Sequence, residues 1–199
     1  MSIGSDLVNA LKKDTGGFPL FSQARPRYSD LARAGTGYAV MATAAVAALV
    51  VRPTTAAALE IYNNTPGKVM AVDRLFSHWL VQSTTALGSG AGIYAMVTTP
   101  KAPPTDAGLA ISSLSGAPAA IKTVLTEAGS TVVANGWFPY GGTVKHESAG
   151  AVVPGGVLEA LIEGRLRVPY SCSLCLHVVS GYTADTFTSG AAWYWEDAA

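Results

Sequence analysis

From Gly37 onward the chain is a series of short β-type runs cut apart by turn residues, and this punctuation limits the fold more than any single motif. The clearest run covers residues 170–180. Its even positions are Tyr170, Cys172, Leu174, Leu176 and Val178, and its odd positions are Ser171, Ser173, Cys175, His177 and Val179. Strand side chains alternate between faces, so the even set is expected on the buried side. Further candidate strands cover residues 38–51, 57–62, 69–81, 92–98, 132–137, 157–162 and 191–196. Asn63-Asn64-Thr65-Pro66-Gly67, Gly88-Ser89-Gly90, Pro154-Gly155-Gly156 and Gly164 mark turns among them.

Two runs carry more detail. Residues 69–81 are apolar at both alternate sets apart from Asp73, Arg74 and His78. This predicts a strand covered on both faces, one of them by a neighbouring subunit. In the last run Trp193 and Trp195 fall on one side, Tyr194 and Glu196 on the other. About eight such strands predict an all-β domain over 38–199, built as a β-sandwich. A jelly roll is the simplest eight-stranded form, because two packed four-stranded sheets bury most edges. The cysteine–tryptophan–cysteine spacing of an immunoglobulin sandwich is absent.

Two segments break the β pattern. Residues 99–131 form an excursion that opens with a proline-rich loop. Within it, Ile121, Val124, Leu125 and Ala128 stand at helical spacing between Pro118 and Gly129. A short helix over 118–128 is favoured over a hairpin through 127–130. Residues 1–37 read as an N-terminal arm. Ser5 or Asp6 can cap a short helix with Leu7, Val8 and Leu11 on one face, and Gly16-Gly17 ends it. A helix this short is marginal alone. Leu7, Val8, Leu11, Phe18, Phe21 and Tyr28 are therefore the candidate assembly contacts of the arm.

Composition bears on partners. Of 199 residues, 49% are hydrophobic and only 13% charged, about half the usual ~25%. Such a surface suits a chain that meets other protein. Thirteen basic residues balance thirteen acidic ones, so no basic stripe exists to neutralise phosphates, and nucleic-acid binding is not expected. In the arm, Lys12, Lys13, Arg25, Arg27 and Arg33 against Asp6, Asp14 and Asp30 leave a net of +2 (five minus three). The most apolar stretch, residues 38–51, is too short for the ~20 residues of a membrane helix. The first basic pair is followed by Asp14 and glycines instead of an apolar run, so no secretory signal is expected.

Chemical constellations are incomplete. Cys172-Ser173-Leu174-Cys175 has the spacing of a redox or zinc pair, but no second cysteine pair exists. On an alternating strand the two thiols point to opposite faces, Cys172 into the core and Cys175 to a partly covered outer face. The histidines are His78, His146 and His177, with no H-x-H pair, and a metal needs three or four convergent ligands. No serine lies in a G-x-S-x-G elbow, and Gly88-Ser89-Gly90-Ala91-Gly92 lacks the lysine of a phosphate loop. Glu60, Asp73, Glu159 and Glu163 give no matched acid–base pair. Trp79, Trp137, Trp193, Trp195, Tyr140 and Tyr194 are read as core or interface anchors, with a glycan platform as the alternative. No catalytic residue, metal or cofactor is assigned.

The runs Glu60-Ile61-Tyr62-Asn63-Asn64, then 69–81, then 93–99, followed by Val153-Pro154-Gly155-Gly156, a strand ending Val179-Ser180-Gly181-Tyr182 and a final aromatic strand, resemble jelly-roll virion proteins of tailed bacteriophages. The resemblance covers roughly residues 38–196. It implies a non-enzymatic capsid decoration or cement protein, made in the host cytoplasm and carried on the capsid surface. The implied partners are its own copies, as a homotrimer, and the major capsid protein. A tail, fibre or receptor-binding component is the alternative.

Overall fold

The first and last long strands pair with each other, and the pairs inside them nest. The computed structural model describes residues 30–31, 34–81, 90–99, 103–105, 111–113, 124–131, 136–145 and 156–198. Their strands are β1 (Gly37–Met41), β2 (Val46–Ala47), β3 (Ala56–Tyr62), β4 (Lys68–Val81), β5 (Gly90–Thr98), β6 (Ser112–Ser113), β7 (Val124–Thr131), β8 (Phe138–Lys145), β9 (Val157–Val168), β10 (Ser173–Ser180) and β11 (Thr186–Asp197). β1 pairs with β11, β3 with β10, β4 with β9 and β5 with β8, all antiparallel. Two further pairings, β4 with β11 and β5 with β10, fold this nest into two sheets. One runs β6-β1-β11-β4-β9 and the other β7-β3-β10-β5-β8. Without the two added edge strands, β6 and β7, this is the eight-stranded jelly roll expected for an all-β chain of this pattern.

The inner faces meet in one apolar core. From β4 come Met70, Val72, Leu75 and Trp79; from β10 Leu174, Leu176 and Val178; from β11 Phe187, Ala191 and Trp193. Trp79 stacks on Phe187 with ring centroids 5.2 Å apart, and Tyr38 lies 6.3 Å from Trp193. Between β4 and β11 the buried Ser77 and Ser189 share a hydrogen bond of 2.8 Å. As expected, Trp193 and Trp195 turn to the core while Tyr194 joins an outer cluster.

The strand β4 is covered on both faces. Its outer side carries Ala71 and Phe76, packed with Ala39, Ala192, Tyr194 and Leu31. Leu31 belongs to the same chain, so at this point the arm's own end covers the face expected to meet a neighbour. Asp30 and Leu31 are helical, and Ala34 N–H donates to the Asp30 carbonyl at 3.0 Å. Gly190 lies where any Cβ would run into the Phe76 ring and the Val40 carbonyl, which lets Phe76 lie flat across the sheet. The helix expected at residues 5–13 lies outside the described residues, as do Leu7, Val8, Leu11, Phe18, Phe21 and Tyr28.

Several expectations are corrected. Residues 124–131 form a strand and not the C-terminal part of a helix over 118–128; residues 118–123 lie outside the described ones. β7 lies along the free edge of β3, where a ladder of hydrogen bonds outweighs the weak preference of a short isolated helix. Residues 38–51 are not one strand. The chain leaves β1 after Met41, pairs briefly with β11 through β2, then reaches β10, where Leu49 N–H donates to the Val178 carbonyl at 3.0 Å. This connection has to pass from one sheet to the other, which a single straight strand cannot do. The strand expected over 132–137 begins instead at Phe138; residues 132–135 lie outside the described ones. β8 lies outside the expected strands. Pro139 is tolerated because β8 is an edge strand. Gly141 has φ +82° and faces Ala160 so closely that a Cβ would lie 2.7 Å from the Ala160 Cβ. Tyr170, expected inside, is exposed in a turn before β10.

Candidate assembly surface

The cysteine pair divides as the alternation requires. Cys172 packs against the main core, and Cys175 lies on the outer face of the second sheet with Ala57, Met96 and Trp137. Their exposure differs from expectation: Cys172 is only half-buried, whereas Cys175 is 0% exposed. The outer face of β10 is itself roofed, so Ser173 and His177 are buried as well. Tyr94 and Trp137 form part of that roof, and Trp137 Nε1 donates to the Thr54 carbonyl at 2.9 Å.

On this face Glu60, Cys175 and Met96 stand side by side across β3, β10 and β5, with His177 two residues further along. A carboxyl, a thiol and an imidazole on one buried face resemble a nucleophilic site, but the environment disables it. Burial pushes the Cys175 thiol far up, and the charge of Glu60 pushes it further. Burial holds the His177 imidazole below its usual value, opposed by its bond to the Val178 backbone. Nδ1 of His177 lies 2.9 Å from the Val178 nitrogen and 3.0 Å from the Val178 carbonyl, and the tautomer sets which of the two it bonds. Glu60 accepts a 2.7 Å hydrogen bond from the Ser173 hydroxyl. A protonated thiol beside a neutral imidazole is no thiolate–imidazolium pair, and nucleophilic attack needs the thiolate.

The other candidates remain apart. The outer-face bulge at Asp73 brings it beside Arg74, whose Nε lies 3.3 Å from its carboxyl; NH1 of Arg74 lies 2.6 Å from Glu159. Burial raises the Asp73 carboxyl, Arg74 lowers it, and Glu163 and Glu159 raise it further. The opposite strand answers this bulge with left-handed residues at Glu163 and Gly164, where a Cβ would lie 2.8 Å from the Tyr194 hydroxyl. The exposed Arg74–Glu159 pair contributes little. Among the described residues no group of three or more His, Cys, Asp and Glu side chains is placed to hold a metal. His146 lies outside them. Trp79, Trp137 and Trp193 are buried and Trp195 packs on the core, so no tryptophan platform faces solvent there.

The described residues expose nine large apolar side chains, spread over the roll. The connections β1–β3, β4–β5, β8–β9 and β10–β11 all emerge at the same end of the roll, as the registers require. Of the nine side chains, Val50, Val51, Val81 and Tyr182 stand there, Val51 at 66% exposure; along β4 Met41 lies level with Phe76, Val157 with His78 and Leu161 with Arg74, while Phe138 lies opposite Ala95 and Tyr170 at the other end. The opposite end carries the ion pairs Lys68–Asp197 at 2.6 Å and Arg167–Glu196 at 2.5 Å as well as the exposed Tyr170. Sequence reasoning missed this end because Val50 and Val51 were absorbed into one long strand. The signal lay in an apolar pair directly before Arg52-Pro53, a turn. Among the described residues no helix is long and apolar enough to cross a membrane.

No family model matches the chain, and no curated protein matches it. Among solved structures, a chain of the cryoEM structure of Mud Crab Dicistrovirus aligns with 11% identity over 92% of this chain and 78% of that one, at a TM-score of 0.20. Likeness at that level carries no argument about fold or function.

Proposed function

We propose that this chain is a non-enzymatic structural subunit of a virion, a decoration or cement protein that binds the capsid shell and stabilises it through subunit contacts. The observation that carries the reading is a weakly charged jelly roll with nine exposed large apolar side chains among its described residues. Burying apolar surface stabilises by about 25 cal/mol per Å² before the costs of association. In this reading the chain forms a homotrimer, and residues 1–37 reach the major capsid protein. The resemblance to phage jelly-roll proteins supports the same reading.

Quantitative mass spectrometry of purified particles tests it. The expected result is this chain at a fixed ratio to the major capsid protein, surviving high-salt washing because the contacts are apolar. Its absence from washed particles contradicts the reading.

A further inference from the structure

We propose that residues 18–29 dock on the outer face of this chain's own β6-β1-β11-β4-β9 sheet, seating apolar side chains over Met41, Phe76, Val157 and Leu161. The inference goes beyond the shell-binding reading and leaves residues 1–17 for the shell.

The registers set these four on one face. Arg74 stands beside Leu161, and His78 beside Val157. Between those rows Phe76 lies beside Gly190, with Met41 beyond it. Val40, Leu75, Leu158 and Ala160 alternate with them and fill the core, so this set points outward. Gly190 lets Phe76 lie flat and form an aromatic floor. Met41, Leu161 and Val157 remain 39%, 54% and 59% exposed. The adjoining part of the same face is already covered by this chain, where Leu31 packs on Ala71, Ala192 and Tyr194.

Position, length and charge decide the occupant. Residues 18–29 lie outside the described residues, and they join the chain directly before Asp30 and the seated Leu31. From Ala192, under Leu31, Val157 is two side-chain rows and two strands away. At ~6.6 Å per row and ~4.8 Å per strand this is about 16 Å, which about five extended residues span. The segment is longer than that and brings Phe18, Leu20, Phe21 and Tyr28. Pro19 and Pro26 disfavour helix and bias the residues before them to extended backbone. Arg25 and Arg27 are its only charges. Around the face Asp73, Glu159 and Glu163 stand against Arg74 and Arg165, a net of −1 (two minus three). The pairs Arg167–Glu196 and Lys68–Asp197 cancel, as do Lys145 and Glu147 in number. Opposite charge therefore favours this segment. A tethered segment also meets the face at an effective concentration of millimolar order, which a separate copy in dilute solution does not reach.

Photocross-linking of the full chain tests the proposal, with p-benzoylphenylalanine in place of Phe21 or Tyr28. Adducts are expected at the mass of a single chain, on peptides that carry Phe76, Val157 or Leu161. Trypsin cleavage after Arg27 gives a second readout, because proteolysis follows the population of the undocked segment. Leu161→Asp and Val157→Asp should each speed that cleavage about 5-fold or more, with unchanged circular dichroism. Phe138→Asp, at an exposed apolar position on the other sheet, should keep the wild-type rate. Adducts at twice the chain mass mean that a neighbouring copy supplies the segment, and they overturn the proposal. Adducts confined to the other sheet, no adducts, or a cleavage rate that neither β9 variant changes overturn it as well. The shell-binding reading is decided separately, by the washed particles.

Discussion

Asn63 shows how much one polar side chain can hold. Its amide donates to the Lys68 and Val168 carbonyls, both at 2.9 Å, and its Oδ1 accepts from Thr65 N–H. Its own backbone pairs with Cys172 and Ser171. It thus joins the β3–β4 turn to the β9–β10 turn. Asn63→Ala strands two carbonyls, at about 1–3 kcal/mol each when buried; a loss of about 3 kcal/mol is expected in urea unfolding. At His177 the folded-state proton affinity lies below the unfolded one. The unfolded chain then binds the proton first, so stability falls as pH drops below about 6.5. His177→Gln should flatten that decline, measured as the unfolding midpoint at pH 7.5 and pH 5.5; an unchanged slope would refute the assignment. Thiol labelling of the native chain should modify Cys172 ahead of Cys175, whose thiol is buried and held protonated. At this scale the alternation of residues 170–180 was legible, and it put the two cysteines on opposite faces. It did not show that the second face is roofed, because what covers it comes from distant sequence such as Trp137.

The strands were legible where their two faces differ chemically or where turn residues bound them. β4, β9, β10 and β11 were all expected near their observed positions. β8 and β7 were not, and for related reasons. Pro139 and Gly141 look like a loop, yet an edge strand accepts both, and Gly141 is what lets β8 approach β9. Val124 and Leu125 fit a helical spacing, yet the edge of β3 offers a longer set of hydrogen bonds. Edge pairing depends on a neighbour that local sequence does not contain. Gly141→Ala should destabilise by about 2 kcal/mol or more, from the left-handed backbone and the contact with Ala160. Amide exchange should find β3 protected on both sides, as an interior strand, because β7 pairs with it.

The whole molecule is a jelly roll with little charge whose loop end exposes Val50, Val51, Val81 and Tyr182. That grouping was invisible in sequence, since only the nested pairing brings the four together. The low charge was visible from composition alone and pointed the same way. The most direct test of the proposed role is a cryo-EM map of the intact particle. The account predicts an eight-stranded roll on the outer shell, in contact with the major capsid protein. A shell explained without this density, or the roll found only in a tail or fibre, would contradict it.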